Sequence, residues 1–423
     1  MKVMVVGGGG REHAIIKKIK ESPLVSEIYA LPGNGGIAKD AICVDIGAKE
    51  LDKIADFAVE NKIEFAIVAP DDPLVLGLVD ILNERGIPCF GPDKKAAIIE
   101  GSKVFSKNLM KKYDIPTAEY ASFTSMTDAL DYLETAKIPV VIKADGLALG
   151  KGVIIAETLD QAKEAVHSMM EDKVFGDSGN QIVIEEFLTG PEVSVLSFTD
   201  GKTLVPMVSS MDHKRALDGD KGLNTGGMGT IAPNPYYTEE IAWECMKKIF
   251  IPTMVAMNEE GRTFSGCLYF GLMLTEDGPK VIEYNCRFGD PETQVVLPLL
   301  DSDLMDIMIH VSKGDLENAE IKFADQAACC VVMASDGYPK NYEKGYEIKI
   351  GDDTKDVYVA GARLDDEGRL LTNGGRVLGV TERGYNLKDA IEKCYKSVKN
   401  VNFENAFYRK DIGQKALRAL EEN

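Results

Sequence analysis

Met1-Lys2-Val3-Met4-Val5-Val6-Gly7-Gly8-Gly9-Gly10-Arg11-Glu12-His13 opens the chain with a β-rich apolar run, four glycines and the first residues of a helical pattern. Strand, tight turn and helix in that order begin a parallel, doubly wound α/β domain. The alternation continues outward. β-rich runs at residues 28–31, 64–69 and 88–90 are separated by helical patterns such as 11–21 and 48–61. A helix that starts on this turn can present backbone N–H groups to an anion. A dinucleotide fingerprint is absent, because Gly-x-Gly-x-x-Gly meets Glu12 in one register and His13 in the other where glycine is required. A nicotinamide or flavin cofactor is therefore not expected, and a turn that binds nothing stays open as the alternative.

The chain has 423 residues, room for two or three domains with full cores. Its 48 basic and 68 acidic residues give a formal net charge of −20, which opposes non-specific binding to nucleic acid or anionic membranes. Small anionic substrates then need local clusters of positive charge. The eight cysteines show no Cys-x-x-Cys spacing and mostly lie in apolar runs, as reduced core residues of a cytosolic protein do. No apolar run approaches membrane-spanning length, and the N-terminal run is too short for a signal peptide, so a soluble cytoplasmic protein is expected.

Beyond residue 101 the β-rich runs come closer together, at 140–143, 152–156, 181–187, 193–198, 204–208, 267–274 and 281–285. Short connections imply antiparallel sheets. Helical periodicity is expected at 102–113, 127–135, 159–170 and 239–258, making this block α+β. A third unit starts near residue 323, with a strand at 327–334, a hairpin over 358–372, a run at 376–381 and a helix at 386–398. The predicted class is a multidomain α/β and α+β protein.

Four stretches carry chemistry. Val281-Ile282-Glu283-Tyr284-Asn285-Cys286-Arg287-Phe288-Gly289-Asp290-Pro291-Glu292 is an apolar strand that ends in charge. Alternation sends Glu283, Asn285 and Arg287 to one face, two oxygen ligands for a hard cation beside a fixed positive charge. A solvated strand edge with an ordinary Glu–Arg pair is the plainer alternative. Residues 140–153 join two strands through small residues flanked by Lys143 and Lys151, a loop able to fold over phosphates or to stand as an exposed hairpin. It is no Walker A loop, since the spacing is one residue short and Gly152 stands where the hydroxyl belongs. Residues 181–188 run into Gly190-Pro191-Glu192, where backbone groups can read an adenine edge and an acid can accept from ribose hydroxyls. Met211-Asp212-His213-Lys214-Arg215 and Asn224-Thr225-Gly226-Gly227-Met228-Gly229 share a loop of some twenty residues, a length usually tied to function. His213 is the best placed of the histidines and His13 the next, yet no histidine base and no Ser-His-Asp or Cys-His arrangement is indicated.

Taken in order, Gly-Gly-Arg-Glu-His, Lys-Ala-Asp-Gly-Leu-Ala, Glu-Glu-Phe-Leu, Asp-His-Lys-Arg, Asn-Thr-Gly-Gly-Met-Gly and Asn-Cys-Arg-Phe-Gly-Asp-Pro-Glu closely resemble the glycinamide ribonucleotide synthetases, ATP-grasp ligases of purine synthesis. The resemblance runs from Met1 to about Gly413. It implies a Rossmann-like substrate domain over 1–100, an ATP-grasp domain over 101–323 with a mobile lobe at about 123–190, and a closing domain over 324–423. It implies that ATP, glycine and 5-phosphoribosylamine become ADP, phosphate and glycinamide ribonucleotide through glycyl phosphate. Glu283 and Asn285 would hold Mg2+ (or Mn2+). ATP would meet Lys103, Lys143, Lys151, Gly150, Gly152, Glu185, Glu186, Phe187, Leu188 and Glu192. Arg287, Asp212 and Lys214 would be catalytic, and the substrates would face Gly9, Gly10, Asn34, Asp71, Asn224, Thr225, Gly226, Gly227, Asp290 and Glu292. A monofunctional monomer with small-molecule partners only is expected. The chain departs from the family pattern at Gly8, where Asn or Ser is usual, at Asp71, where Glu is usual, and at Met211, where Gln is usual. Another ATP-grasp carboxylate–amine ligase of the same pathway is the alternative, and a nucleotide-binding regulatory protein is a third, disfavoured by the intact Glu283, Asn285 and Arg287.

Overall fold

The structure is a computed structural model that describes residues 1–147, 152–354 and 356–422. Its N-terminal part is a five-stranded parallel sheet in the order Ile42–Cys43, Glu27–Pro32, Lys2–Gly7, Phe65–Val68, Cys89–Phe90. Lys2–Gly7 is central and apolar on both faces. Met4 and Val6 enter one hydrophobic core while Val3 and Val5 enter another, as a strand buried on two sides requires. The glycines after Gly7 lead into the helix Gly10–Lys20, whose Glu12 carboxylate accepts from the Gly9 N–H at 2.6 Å and whose last turn carries Lys17, Lys18 and Lys20 against the negative end of its dipole. The strand order reverses between Lys2–Gly7 and Phe65–Val68. Ligands of open α/β sheets bind outside the strand ends at such a point.

Sequence periodicity did not mark the helices Asp71–Leu76, Leu78–Glu84 and Lys94–Gly101. The last forms because the Asp93 carboxylate caps it, accepting from the Ala96 N–H at 2.8 Å. The helix Lys103–Lys112 follows, capped by Ser102.

The central part holds two antiparallel sheets. One orders Leu204–Pro206, Glu192–Thr199, Gly266–Thr275 and Gly278–Asn285; the other orders Tyr120–Phe123, Ile182–Glu186, Val140–Ala144 and Val153–Ala156. The second sheet packs against the helices Met126–Leu133 and Leu159–Met170 around a core of its own, which includes Leu133, Ile142, Val166, Met169, Ile182 and Ile184. The helix expected over 239–258 is interrupted. It runs as Glu239–Cys245, a π-helical turn Met246–Phe250, and Ile251–Glu259. Pro252 lacks the amide hydrogen that an α-helical turn needs there, and the wider turn accommodates its ring. The Thr253 hydroxyl donates to the Ile249 carbonyl at 2.7 Å.

The C-terminal part is built on a six-stranded sheet whose main path is Met211–Asp212, Gly229–Ala232, Ala327–Ser335, Arg376–Gly384 and Val357–Val359. Two of these strands come from the central stretch of chain: Gly229–Ala232 pairs antiparallel with Ala327–Ser335, placing Ile231 opposite Cys329. The helix Leu387–Val398 covers the sheet with Leu387, Ala390, Ile391, Cys394 and Val398. Among the described residues no helix is long and apolar enough to cross a membrane.

Candidate active site

The strand Gly278–Asn285 pairs with Gly266–Thr275 through an irregular register, Leu272 opposite Val281 but Gly271 opposite Glu283, so Ile282 is an extra residue. This bulge decides the chemistry. Without it Glu283 would share the face of buried Val281; with it Tyr284 returns to the core and Glu283 and half-buried Asn285 turn outward. Glu283 is exposed at the end of this strand. Loss of hydration tends to raise its carboxyl, but Lys214, Lys143, Arg287 and Lys103 overcome this and hold it below the ordinary range. Four cations from four separate elements thus converge on one carboxylate, in a chain whose net charge is strongly negative.

Arg287 is fixed from behind. Its Nη2 donates to Glu100 Oε1 at 2.9 Å, while Glu100 Oε2 accepts from the Cys286 N–H at 2.7 Å. Burial first raises the Glu100 carboxyl, and Arg287 pulls against it. Arg287 Nε is buried with no hydrogen-bond partner among the described residues.

On one side of Glu283, Lys143 lies near the end of the strand Val140–Ala144 and bridges two parts of the molecule: its Nζ lies 3.0 Å from Glu185 Oε1 and donates to the Ile282 carbonyl at 3.0 Å. Glu185 also meets Lys107 at 3.3 Å, so one buried acid serves two buried lysines. Lys103 donates to the Gly146 carbonyl at 2.7 Å. Glu186 accepts from the Glu119 N–H at 3.1 Å and faces Lys280, Phe187 and Glu192 are exposed, and Leu188 is half-buried. The Gly152 carbonyl accepts from the Ala144 N–H at 2.8 Å. Gly150 and Lys151 lie outside the described residues.

On the opposite side, Lys214 Nζ lies 3.1 Å from Asp212 Oδ2. Burial works against the Lys214 charge, and Asp212, with Tyr269, Glu283 and Glu292, holds it far above its usual value. Glu292 is buried, accepts from the Tyr269 hydroxyl at 3.0 Å, and is pushed up by burial and then by Asp212. The Thr225 hydroxyl donates to the Lys214 carbonyl and accepts from the Gly227 N–H at 3.0 Å, which shapes the loop 224–229; Asn224 at its start is exposed. Gly227 has φ +118°, and a Cβ there would fall 2.5 Å from Pro291 Cδ and 2.6 Å from Asp212 Oδ1.

Gly9, Gly10 and Asp71 lie at the strand-order reversal, just beyond the ends of Lys2–Gly7 and Phe65–Val68. Burial tends to raise Asp71, but Arg287 and then Arg11 hold it low. Asp290 Oδ2 accepts from the Arg11 N–H at 3.4 Å and its Oδ1 from Gln294 at 2.8 Å. Asn34 is spent structurally: its Nδ2 donates to the Gly8 and Val359 carbonyls at 2.9 and 2.7 Å, and its Oδ1 accepts from the Gly36 and Ile37 N–H groups at 2.8 and 2.9 Å.

Neither leading histidine faces the cleft. His213 Nδ1 donates to the Gly229 carbonyl at 3.1 Å and its Nε2 accepts from the Gly413 N–H at 3.1 Å, which fixes a neutral ring; burial pushes it down to about 4. His13 Nδ1 accepts from the Val359 N–H at 2.8 Å and its Nε2 meets Asp40 at 3.0 Å. Sequence reasoning missed Arg11, Glu100, Lys107 and Arg376. Lys107 carried a signal, since it lies one helical turn beyond Lys103.

Three family models match in succession: phosphoribosylglycinamide synthetase, N domain, over residues 1–100; its ATP-grasp (A) domain over 101–293; and its C domain over 328–415. A phosphoribosylamine–glycine ligase from Caldanaerobacter subterraneus subsp. tengcongensis is 48% identical over 97% of this chain and 99% of that protein. One from Clostridium acetobutylicum is 48% identical over 98% of this chain and 100% of the other. A crystal structure of the phosphoribosylamine–glycine ligase of Thermotoga maritima superposes with a TM-score of 0.87 at 33% identity, covering 97% of this chain and 100% of that one. A biotin carboxylase from Campylobacter jejuni, at 13% identity and a TM-score of 0.76, shares the fold.

Proposed function

The chain belongs to the phosphoribosylglycinamide synthetase family, and from that premise we propose how its central cleft joins glycine to 5-phosphoribosylamine. It is an ATP-dependent ligase of purine biosynthesis. The observation that carries the residue assignment is geometric: Glu283 and Asn285 turn outward together, Lys143 donates to the Ile282 carbonyl beside them, and Lys214 and Arg287 are held by Asp212 and Glu100. Such a cluster suits a polyphosphate with its counter-cation and suits little else in so acidic a protein.

Glu283 and Asn285 are two hard oxygen donors that would hold Mg2+ (or Mn2+). Among the described residues no group of three or more His, Cys, Asp or Glu is arranged to hold a metal, so a cation shared with the nucleotide fits better than an all-protein cage. When bound, the cation supplies neutralisation of charge spread over the transferred phosphoryl oxygens.

Lys103 and Lys143 hold the ATP phosphates, the Glu185 to Leu188 backbone faces adenine, and Glu192 accepts from the ribose. Glycine lies near Arg287, Lys214 and the loop 224–229. Its carboxylate oxygen attacks the γ-phosphorus; the bond to the β–γ bridging oxygen breaks and ADP leaves. The phosphoribosylamine nitrogen, held between Gly9, Gly10, Asp71 and Asp290, then attacks the carbonyl carbon of glycyl phosphate. Phosphate departs and the amine proton passes to solvent. Lys214 and Arg287 face the charge that develops in both steps, and Asp212 and Glu100 keep them in place. Closure of the lobe at 123–190, which has its own core, keeps water from the acyl phosphate. We read 1–100 as substrate domain, 101–323 as ATP-grasp domain and 324–423 as closing domain, in a monomer of the cytoplasm.

ADP release by purified protein should require both glycine and freshly generated phosphoribosylamine. Glu283→Gln should lower kcat by about 100-fold or more. Release independent of phosphoribosylamine would point to another acceptor, and near-normal turnover of the variant would remove Glu283 from the metal site.

A further inference from the structure

The residues assigned above come from the N-terminal and central parts of the chain, yet a cation from the C-terminal sheet reaches the same cleft. Arg376 begins the strand Arg376–Gly384, beside the register irregularity opposite Met333 and Ala334. Its Nη1 lies 2.8 Å from the Gly226 carbonyl oxygen, 2.9 Å from that of Asp290 and 3.4 Å from that of Gly227, with Asp290 Oδ1 at 3.5 Å. The Gly226 backbone lies flat against the guanidinium, since a Cβ at Gly226 would fall 2.9 Å from Arg376 Cζ. From the same domain, the Tyr338 hydroxyl accepts from the Gly226 N–H at 3.1 Å.

Two separate loops are thereby tied to one side chain. The loop 224–229 presses Gly227 against Asp212 and Pro291; the turn at 290–292 carries Asp290, which Arg11 reaches from beside Gly10. We propose that Arg376 is a positioning residue for the ligation: with Tyr338 it holds the glycine-rich loop and the turn at Asp290 in register, so that the C-terminal domain sets the geometry of the acceptor side. This rests on the ligase reading above. A planar, always-charged group is required, because a lysine ammonium is a point charge that cannot lie flat beneath the Gly226 backbone. The ATP phosphates meet Lys103 and Lys143, which Arg376 does not touch, so the effect belongs to the chemical steps and to the acceptor rather than to nucleotide binding.

The test uses the full chain with ATP, glycine and phosphoribosylamine. Arg376→Ala should lower kcat by about 100-fold, the loss expected of a misplacement near 1 Å, while KM for ATP stays within about twofold. Added guanidinium chloride at low millimolar concentration should restore the rate of this variant by about tenfold and leave the unaltered enzyme unchanged. Arg376→Lys should recover only part of the rate. Tyr338→Phe removes one acceptor without disturbing the sheet and should lower kcat by about fivefold, which decides the matter if Arg376→Ala does not fold. Rates within about threefold of the unaltered enzyme, an equal rise in KM for ATP, or no rescue by guanidinium would each overturn the proposal. A lack of turnover in the unaltered chain would overturn the ligase reading as well, and is seen before any variant is made.

Discussion

Replacing Lys107 by methionine isolates the buried charge group that it forms with Glu185 and Lys143. Lys107 is 2% exposed; its Nζ sits 3.3 Å from Glu185 Oε2 and donates to Thr117 Oγ1 at 2.8 Å. Burial pushes its ammonium down from 10.5 to about 8, with Glu185 resisting and Lys143 adding to the push. Between those two values the unfolded chain keeps a proton that the folded chain has lost, so stability rises with pH there and is lower at neutral pH. Integrated from pH 7 to pH 9, the gain is on the order of 1 kcal/mol, near one unit of the limiting slope of about 1.4 kcal/mol per pH unit. Methionine fills the same length and cannot titrate. The difference in unfolding free energy, native chain minus variant, should therefore move by on the order of 1 kcal/mol in favour of the native chain between pH 7 and pH 9. Urea titrations followed by circular dichroism at constant ionic strength measure it. A difference constant within about 0.3 kcal/mol, or one that falls with pH, would refute the reasoning.

Gly227→Ala should strain the loop by about 1–3 kcal/mol and lower kcat/KM by about 100-fold, while nucleotide affinity measured by fluorescence titration is retained; unchanged turnover would show that the loop yields. Asn34→Ala removes hydrogen bonds to four backbone groups, one of them at Val359 in the C-terminal sheet, and should destabilise the protein by about 2–4 kcal/mol in thermal melts. His213, pushed from 6.5 to about 4, makes the folded state the weaker proton binder between those values, so stability falls as pH drops through that window. His213→Gln should flatten this decline in denaturant titrations from pH 7 to pH 4, whereas the rate profile from pH 6 to pH 9 should show no inflection from this ring.

Much of this was legible. The alternating N-terminal runs gave the parallel sheet because strands buried on both faces are continuous apolar runs, and the charged end of residues 281–292 stood out because a strand with no site would have stayed apolar. What escaped notice depended on distant partners. Nothing local separates Glu100 from the many surface acids of helices, and it becomes legible only when Arg287 is found against it; for Lys107 the helical spacing from Lys103 was a cue, but its buried partner Glu185 lies far away in sequence. The bulge at Ile282 was hidden because alternation keeps Glu283 and Asn285 on one side together in either register, and only the pairing of Gly271 with Glu283 shows that this side faces away from the core. The π-helical turn required weighing Pro252 against an otherwise regular helical pattern.

The pairing of Gly229–Ala232 with Ala327–Ser335 has a consequence for recombining this enzyme with its relatives. A crossover placed between the central and C-terminal parts in sequence would leave one sheet assembled from two parents, with Ile231 and Cys329 no longer matched across the ladder. An exchangeable unit must carry the segment around 211–232 together with everything from 327 onward. The segment 120–186, by contrast, is continuous in sequence and carries its own core, so it can be transplanted whole. Chimeras cut by these two rules should fold where those cut at the sequence boundary fail.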